Sequence, residues 1–396
     1  MITGLDHYKD KWNIASDTSI KPGLHAIKQA LQELDNPHEN HQFIHIAGTN
    51  GKGSTAAFIA AILMQHGKSV GNFFSPAIED VHDQIQIDRE PATEEDFDTA
   101  FEKLSKVQTP LTDFELLTAA AFLLFNRRKP DFIIIEAGMG GRFDSTNVIE
   151  PLISVIPSIS LEHTNFLGST IAEIAWHKAG IIKKGKPIAI GKLPEEAEKV
   201  ICTTAEKMSS EILKSKDLFE GELKMKGQHQ KANANLAMLV AQNTLENQFK
   251  EHLAILGISS TSLSFRFEEV YPDVIFDGAH NEASVDALVE TVRKIYSDRE
   301  IHIVMGLLKD KDHEAILRKL ETISDHFTFL EFENERALPA QILFSKSSSK
   351  IKTILNDCDI LPVSSKNEVT IVTGSLYLLA ILRKRNYSMF EHYRPD

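Results

Sequence analysis

The stretch QFIHIAGTNGKGSTAAFIAAILMQH, residues 42–66, decides the fold of this chain. Its apolar start predicts a short buried strand, and turn-forming residues follow at once. From Thr55 onward apolar residues recur at helical spacing, so a glycine-rich turn joins the strand to a helix. Such a turn lets backbone N–H groups approach phosphate oxygens, and the dipole of the helix adds partial positive charge.

Two kinds of side chain in this turn suit a nucleotide. Lys52 supplies a full positive charge, and the hydroxyl of Ser54 or Thr55 suits a phosphate-bound Mg²⁺. The pattern G-x-x-x-x-G-K-[ST] is not met, because Ile46 takes its first glycine position and Gly53 separates Lys52 from Ser54. A glycine-rich turn with an exposed lysine is the alternative, but the flanking strand and helix favour a phosphate loop.

Composition and charge narrow the class of protein. The 396 residues predict two domains, and contents of 42% hydrophobic and 25% charged residues are typical of a globular protein with a full core. A net charge of -13 argues against a nucleic-acid partner. No apolar run is long enough for a membrane span, and the start is too charged for a signal peptide. Cys202 and Cys358 fit no metal spacing, so we expect a cytoplasmic protein.

Strand-like runs alternate with helical patterns along the chain, which predicts βαβ units and a parallel sheet covered on both faces. The fold class is therefore α/β, with an N-terminal phosphate-loop domain whose sheet is mainly parallel and a smaller C-terminal α/β domain. The periodicity breaks around 247–265, so we place the boundary between domains at 1–260 and 261–396. Strands are predicted at 69–74, 131–136, 152–156, 187–190, 274–276, 301–305, 328–331 and 369–373, and helices at 24–34, 94–107, 113–128 and 170–182.

Polar residues follow several of the predicted strands, where ligands collect in parallel sheets. Ser75 and Glu136 take such positions, and Glu136 suits a second contact to Mg²⁺. The alternative is that Glu136 forms a salt bridge with Arg142 or caps a helix. His163 follows the next strand, and its place at a third strand end makes it a candidate metal ligand. Glu115 has the spacing of a capping box and is interpreted first as a helix cap.

Lys178 breaks an apolar stripe on the helix predicted over 170–182. The stripe runs through Ile171, Ile174 and Ala175, and the next position at helical spacing is Lys178. A lysine on an inward face is costly to bury in its charged form, so its pKa should fall. A neutral lysine can form a Schiff base, act as a base or take up CO₂ as a carbamate. The alternative is a lysine that extends to the surface.

Two turns in the second domain also carry polar residues. The string VIFDGAHN, 274–281, places Asp277 and His280 between a strand and a helix. Asn281 caps the helix in one interpretation; in the other, Asp277 meets a ribose and His280 a phosphate. The string VTGSLYLL, 372–379, repeats the strand–Gly–Ser–helix form and offers Ser375.

Taken together, these strings resemble the folylpolyglutamate synthase and dihydrofolate synthase family of the Mur ligase superfamily. The matching segments follow the family's order over nearly the whole chain: HIAGTNGKGST (45–55), EAGMGGRFDSTN (136–147), LEHTNFLGSTIAEIAWHKAGII (161–182), GQHQKANANLA (227–237), RFEEV (266–270), FDGAHN (276–281), MGLLKDKD (305–312) and TGSLY (373–377).

The resemblance implies an ATP-dependent ligase with a Mur-type ATP-binding domain and a C-terminal Rossmann-like glutamate-ligase domain. Such an enzyme adds L-glutamate to a folate through an acyl phosphate, with or without the conversion of dihydropteroate to dihydrofolate. It implies ATP, two Mg²⁺ ions, folate and L-glutamate as ligands, and a monomer. The alternatives are a Mur-type ligase with another carboxylate acceptor and an inactive nucleotide-binding paralogue.

By position, the resemblance also assigns the site. The catalytic residues are Lys52, Lys178, as a carbamylated lysine, and His280. The residues that bind ATP are Thr49, Asn50, Gly51, Lys52, Gly53, Ser54, Thr55, Asn233, Arg266, Asp277 and Ser375. The metal ligands are Ser54, Ser75, Glu136, His163 and Lys178.

The chain departs from the family pattern in several places. The family's GLDH is SLEH (160–163), and its E-K-A-G is His177-Lys178-Ala179-Gly180. Ala77 follows Ser75-Pro76 where the family has histidine, and 81–85 is VHDQI where the family often has FNERI. The family uses this loop to shape the pterin side of the site, so the departures bear on the acceptor more than on the ligase chemistry.

Overall fold

The computed structural model describes residues 4–77, 80–215, 217–356 and 367–390. The chain forms two compact units, one of Met1–Leu223 with Lys231–Thr261 and one of Lys224–Gln230 with Ser262–Asp396. The domain limits of 1–260 and 261–396 stay a prediction. No helix within the described ranges is both long and apolar enough to cross a membrane.

The first unit is built on an eight-stranded sheet in the order β10-β9-β8-β2-β7-β3-β4-β5. Its strands from β10 to β3 are parallel, and β4 and β5 add an antiparallel edge. Strands β2, β3 and β8 are buried along their whole length, as expected where helices cover both faces. A separate pair joins β1 to β6. The strands are β1 (Ser16–Asp17), β2 (Phe43–Ile46), β3 (Val70–Phe73), β4 (Ile85–Ile87), β5 (Glu90–Pro91), β6 (Leu111–Thr112), β7 (Phe132–Glu136), β8 (Ile153–Ile156), β9 (Ile188–Ile190) and β10 (Ile212–Lys214).

Local sequence signals, such as capping residues, set the ends of helices around this sheet. Thr112 and Glu115 form the expected capping box at the start of α5, which confirms the cap interpretation of Glu115. The helices are α1 (Leu5–Trp12), α2 (His25–Glu33), α3 (Lys52–Gln65), α4 (Glu94–Leu104), α5 (Asp113–Arg128), α6 (Thr164–Leu167), α7 (Ile171–Lys178), α8 (Glu195–Lys207), α9 (Gln228–Leu245) and α10 (Glu251–Ser260).

Helix α10 lies within 247–265, the stretch for which the sequence predicts no regular periodicity. It packs against α3 at Gly257, where a Cβ atom would lie 2.8 Å from the carbonyl oxygen of Ala61. Only a glycine allows the two backbones to approach this closely. The helix was missed because Ile255 and Leu256 stay exposed, so its apolar residues do not form one stripe.

The second unit contains a six-stranded sheet in the order β11-β12-β16-β13-β14-β15. Only β11 is antiparallel to its neighbour, so the unit has the Rossmann-like α/β form that the resemblance implies. The strands are β11 (Glu268–Tyr271), β12 (Val274–Asp277), β13 (Glu300–Met305), β14 (His326–Leu330), β15 (Ile351–Leu355) and β16 (Glu368–Thr373), and the helices are α11 (Glu282–Ile295), α12 (His313–Leu320), α13 (Ala340–Lys346) and α14 (Leu376–Phe390).

Candidate active site

The phosphate loop runs from the end of β2 at Ile46 to the start of α3 at Lys52. Gly51 precedes the helix with a φ of 83°, a left-handed conformation that favours glycine, and as the N-cap residue it supplies no side-chain cap. A Cβ atom on Gly51 would lie 2.6 Å from Oδ1 of Asn233 on α9. The fold therefore brings Asn233 against the loop, as the resemblance implies.

The loop is held by the segment that follows β8. The hydroxyl of Thr49 donates to the carbonyl oxygen of Ser160 at 3.1 Å and accepts from the backbone N–H of Ser160 at 3.0 Å. The backbone N–H of Asn50 donates to the hydroxyl of Ser158 at 3.0 Å. The side chain of Thr49 thus positions the loop, and Ser158 and Ser160 are site-supporting residues that no sequence motif indicated.

Lys52 and Glu136 form an ion pair in this site, with 3.7 Å between Nζ and Oε1. Lys52 also donates to the carbonyl oxygen of Thr49 at 3.2 Å. The guanidinium group of Arg142, the alternative partner for Glu136, lies 4.1 Å from the centre of the Trp176 ring and donates to the carbonyl oxygen of Trp176. Glu136 therefore faces the phosphate loop with a positively charged neighbour.

Lys178 points inward, as its place on the apolar stripe predicted. Its side chain is only 2% exposed, and Nζ donates to the carbonyl oxygen of Gly48 in the phosphate loop at 2.7 Å. Burial lowers the pKa of Lys178 to about 7, with a contribution from the positive charge of Lys52. The alternative of a lysine extending to the surface is wrong. The structure places this buried amine, with its lowered pKa, beside the loop.

The proposed metal ligands follow neighbouring strands of the first sheet. Ile46 on β2 aligns with Glu136 on β7, and Phe73 on β3 aligns with Ile135 on β7, so the ends of these strands share one edge. Ser54 is buried in the first turn of α3, and Ser75 lies two residues beyond β3. His163, at the start of α6, has a left-handed φ of 51°.

These residues fit a nucleotide with a divalent cation. The hydroxyl of Thr55 is fully buried beside the loop and has no hydrogen-bond partner among the residues that the structure describes. Hydroxyl and carboxylate oxygens, as in Ser54 and Glu136, are the ligands that Mg²⁺ prefers. The open helix end supplies N–H groups for phosphate oxygens.

A cavity of about 460 Å³ opens elsewhere in the first unit. It lies next to the capping box of α5 and contains charged side chains of both signs. Its lining consists of Ala15, Ser16, Asp17, Lys21, Pro22, Gly23, His25, Ala26, Pro110, Leu111, Thr112 and Glu115.

The second unit gathers its four predicted residues at the ends of β12 and β16. Asp277 aligns with Thr373, two residues before Ser375, and a Cβ atom on Gly278 would lie 2.7 Å from Nη1 of Arg266. The carboxylate of Asp277 accepts from the backbone N–H groups of Phe267 and Ala279, at 2.9 and 3.0 Å. Burial raises the pKa of this carboxyl group, and the charge of Arg266 opposes the shift.

Three further side chains complete this region. His280 pairs its Nδ1 with the carbonyl oxygen of Gly278 at 2.7 Å, and Asn281 caps α11. Within the described part of the chain, the buried hydroxyl of Ser375 has no hydrogen-bond partner. His229 was not predicted as a site residue, although it lies within the 227–237 segment; burial and the charge of Arg266 lower its pKa to about 4.

Comparisons with known proteins identify the family of this chain. Residues 46–215 match the Mur ligase middle domain, and residues 265–375 match the Mur ligase glutamate ligase domain. The chain is 37% identical to the dihydrofolate synthase/folylpolyglutamate synthase of Bacillus subtilis, over 92% of this chain and 95% of the relative.

Solved structures show the same fold. One is E. coli FolC in complex with DHPP and ADP, with a TM-score of 0.88 and 25% identity, covering 98% of this chain and 97% of that one. Another is the bifunctional folylpolyglutamate synthase/dihydrofolate synthase of Yersinia pestis with AMPPNP and a Mn ion, with a TM-score of 0.87 and 25% identity, covering 97% and 98%. The chain therefore belongs to the folylpolyglutamate synthase/dihydrofolate synthase family of Mur ligases, which add glutamate to folates at the expense of ATP.

Proposed function

We propose that this chain adds L-glutamate to tetrahydrofolate, with the phosphate loop of the first unit as its ATP site. The observation that carries the assignment of the site is the group formed by Lys52, Glu136 and Lys178 around the loop. Residues 49–55 would hold the phosphates of ATP, with Asn233 against the loop. Ser54, Ser75, Glu136 and His163 would hold Mg²⁺.

The charges of this group suit phosphoryl transfer from ATP to a carboxylate. The ammonium group of Lys52 would offset negative charge on the transferring phosphoryl group, and the helix end would bind its oxygens. Bound Mg²⁺ would supply further neutralisation of that charge. Glu136, paired with Lys52, keeps the lysine directed at the loop.

We propose that Lys178 takes up CO₂. Its amine would attack the carbon of CO₂, form an N–C bond and release one proton, which leaves a carbamate. A pKa of about 7 keeps much of the amine neutral and nucleophilic at physiological pH. The carbamate would change a buried cation into an anionic oxygen ligand beside the loop, where a divalent cation is needed.

In the second unit, we propose that Asp277 and Arg266 bind parts of ATP, that Ser375 adds a hydroxyl contact, and that His280 takes part in catalysis. The unpartnered hydroxyl of Ser375 supports this assignment. We further propose a monomeric enzyme of the cytoplasm that binds neither membrane nor nucleic acid. The net charge of -13 supports the absence of a nucleic-acid partner.

The test is the release of ADP and phosphate from ATP with glutamate present. Tetrahydrofolate, dihydropteroate, another carboxylate acceptor and no acceptor are compared. Turnover that needs tetrahydrofolate supports the proposal, and turnover with dihydropteroate adds dihydrofolate synthase activity. Turnover only with the other carboxylate, or tight ATP binding without turnover, would contradict it.

A further inference from the structure

The second unit carries a cluster of two histidines and one glutamate away from the residues discussed so far. His302 lies on β13, His326 on β14 and Glu368 on β16, which are three adjacent parallel strands. His302 aligns with both His326 and Thr370, and Glu368 lies two residues before Thr370. Because side chains alternate between the faces of a sheet, all three side chains lie on the same face.

This cluster lies near the amino ends of the strands. Asp277 and Ser375 lie at or beyond the carboxyl ends of β12 and β16, so they lie at the opposite ends of the strands of the same sheet. The inference is therefore independent of the proposed ligase function.

The three side chains are already close to one another. The rings of His302 and His326 stack at 3.8 Å with an angle of 4° between their planes, and Nδ1 of His326 lies 2.7 Å from Oε1 of Glu368. Within the described ranges, this is the one group of three such side chains whose ligand atoms all lie within 4.8 Å of one another. A tetrahedral ion with bonds of about 2.1 Å holds its ligand atoms about 3.4 Å apart, and because the ion lies in the plane of each imidazole that binds it, the two rings would turn out of their stacked arrangement on binding.

The surroundings favour a cation held by neutral imidazoles. Nε2 of His302 lies 2.8 Å from the hydroxyl of Thr328, and an Nε2–H donated to that hydroxyl leaves the lone pair on Nδ1. The carboxylates of Glu368 and Asp325 add negative charge near His326. Two cations of this region are themselves paired with carboxylates, Arg299 with Asp273 at 3.0 Å and Lys350 with Asp325 at 2.8 Å.

We propose that His302, His326 and Glu368 bind a transition-metal ion of the Zn²⁺ class. Two imidazole nitrogens and one carboxylate oxygen suit Zn²⁺, Co²⁺ or Ni²⁺ and do not suit Mg²⁺. Three protein ligands leave a fourth position for water. The ion would replace the proton between His326 and Glu368 and link three strands of the sheet.

The test is a titration of the full chain with ZnCl₂ against a chromophoric chelator, after metal removal and with excess Mg²⁺ and AMPPNP to saturate the phosphate loop. His326→Gln and Glu368→Gln are the test variants, because both side chains are partly exposed and their loss leaves the core intact. His252→Gln, which removes an exposed histidine on α10, is the matched control. Circular dichroism verifies the fold of each variant.

We expect wild type and His252→Gln each to bind one equivalent of Zn²⁺. Each test variant should bind this ion at least about tenfold more weakly. Co²⁺ should give the visible absorption of a tetrahedral site in wild type, and this band should be lost in the test variants. The proposal is overturned if wild type binds no Zn²⁺, or if both test variants keep its affinity and its Co²⁺ spectrum.

Discussion

Two strand-to-helix turns of this chain, one in each unit, are capped in different ways. In the first, α3 follows Gly51, which supplies no side-chain cap. In the second, Asn281 caps α11 in a capping box with Ser284, and the carboxylate of Asp277 accepts two backbone N–H groups of neighbouring residues. The N-cap residue of the first helix thus leaves the N–H groups of the helix end to other partners, whereas the second helix end is closed by the protein's own side chains.

The two turns differ in whether the backbone N–H groups at the start of the helix remain available to a ligand. Glycine at the end of a turn leaves N–H groups for phosphate oxygens, whereas asparagine at the same place satisfies them internally. We therefore expect changes in the first turn to act on catalysis and nucleotide affinity, and changes in the second helix cap to act on stability.

The largest effect should come from Glu136→Gln. It removes the negative charge beside Lys52 and the carboxylate proposed for Mg²⁺, so Mg²⁺-dependent turnover should fall by about 10³-fold or more while the fold is kept. Turnover is measured over a range of Mg²⁺ concentrations, with the exposed Glu196→Gln as control. Unchanged turnover would place the metal elsewhere.

Lys178→Ala should have the next largest effect. Loss of the amine removes the contact to Gly48 and the group proposed to take up CO₂, so most ligase activity should be lost, by about 10²-fold or more. Added bicarbonate should not restore it. Near-normal turnover by the variant would refute the carbamate, as would a lack of signal from Lys178 in wild type treated with ¹³C-bicarbonate and observed by ¹³C NMR.

Gly51→Ala tests the open helix end directly. The new methyl group would meet Asn233 at 2.6 Å in a left-handed backbone conformation, so the loop must shift. We expect ATP affinity to fall by about tenfold, which corresponds to ~1.4 kcal/mol. Calorimetric titration with AMPPNP measures the change, and an unaltered affinity would mean that the loop's backbone does not contact phosphate.

Lys178 should also make stability depend on pH. Its folded pKa of about 7 lies below the ordinary 10.5, so between these values the unfolded chain binds more protons. The free energy of unfolding should therefore rise with pH from about 7 to 10.5, by up to ~1.4 kcal/mol per pH unit, and this contribution should be lost as pH falls. Denaturant unfolding in CO₂-free buffer should show a flatter dependence for Lys178→Met. If the free energy of unfolding had the same slope against pH in both proteins, a buried lysine with a lowered pKa would be contradicted.

Asn281→Ala should have the smallest effect. The loss of the cap on α11 should lower the free energy of unfolding by ~1 kcal/mol. AMPPNP affinity should stay as in wild type, measured under the same conditions as for Gly51→Ala. A loss of affinity as large as that of Gly51→Ala would remove the distinction between the two turns.

Local signals made much of the fold predictable. The capping box at Thr112 set the start of α5, and continuous apolar runs set the central strands. Strand β15 was missed because this edge strand is exposed or only partly buried along its length, so it lacks an apolar run. Helix α10 was missed for the related reason that its apolar residues face both the core and the solvent.

The residues of the candidate site could be predicted only in part from sequence patterns. The inward position of Lys178 followed from helical spacing alone, and the glycine-rich turn indicated the phosphate loop. Asn233 could be assigned only through the family resemblance, because nothing in its own helix indicates that it contacts Gly51. Contacts between residues that are distant in sequence, such as those of Ser158 and Ser160 with the loop, leave no periodic pattern.

The hydrogen bonds of Thr49 have a consequence for ligand affinity. They join the loop to a segment 111 residues away, so the loop acquires its shape when the protein folds. The entropy lost in ordering the loop is then part of the folding free energy and does not weaken nucleotide binding. The affinity of this chain for nucleotide thus depends in part on residues 158–160, a tripeptide, SIS, that carries no nucleotide-binding motif.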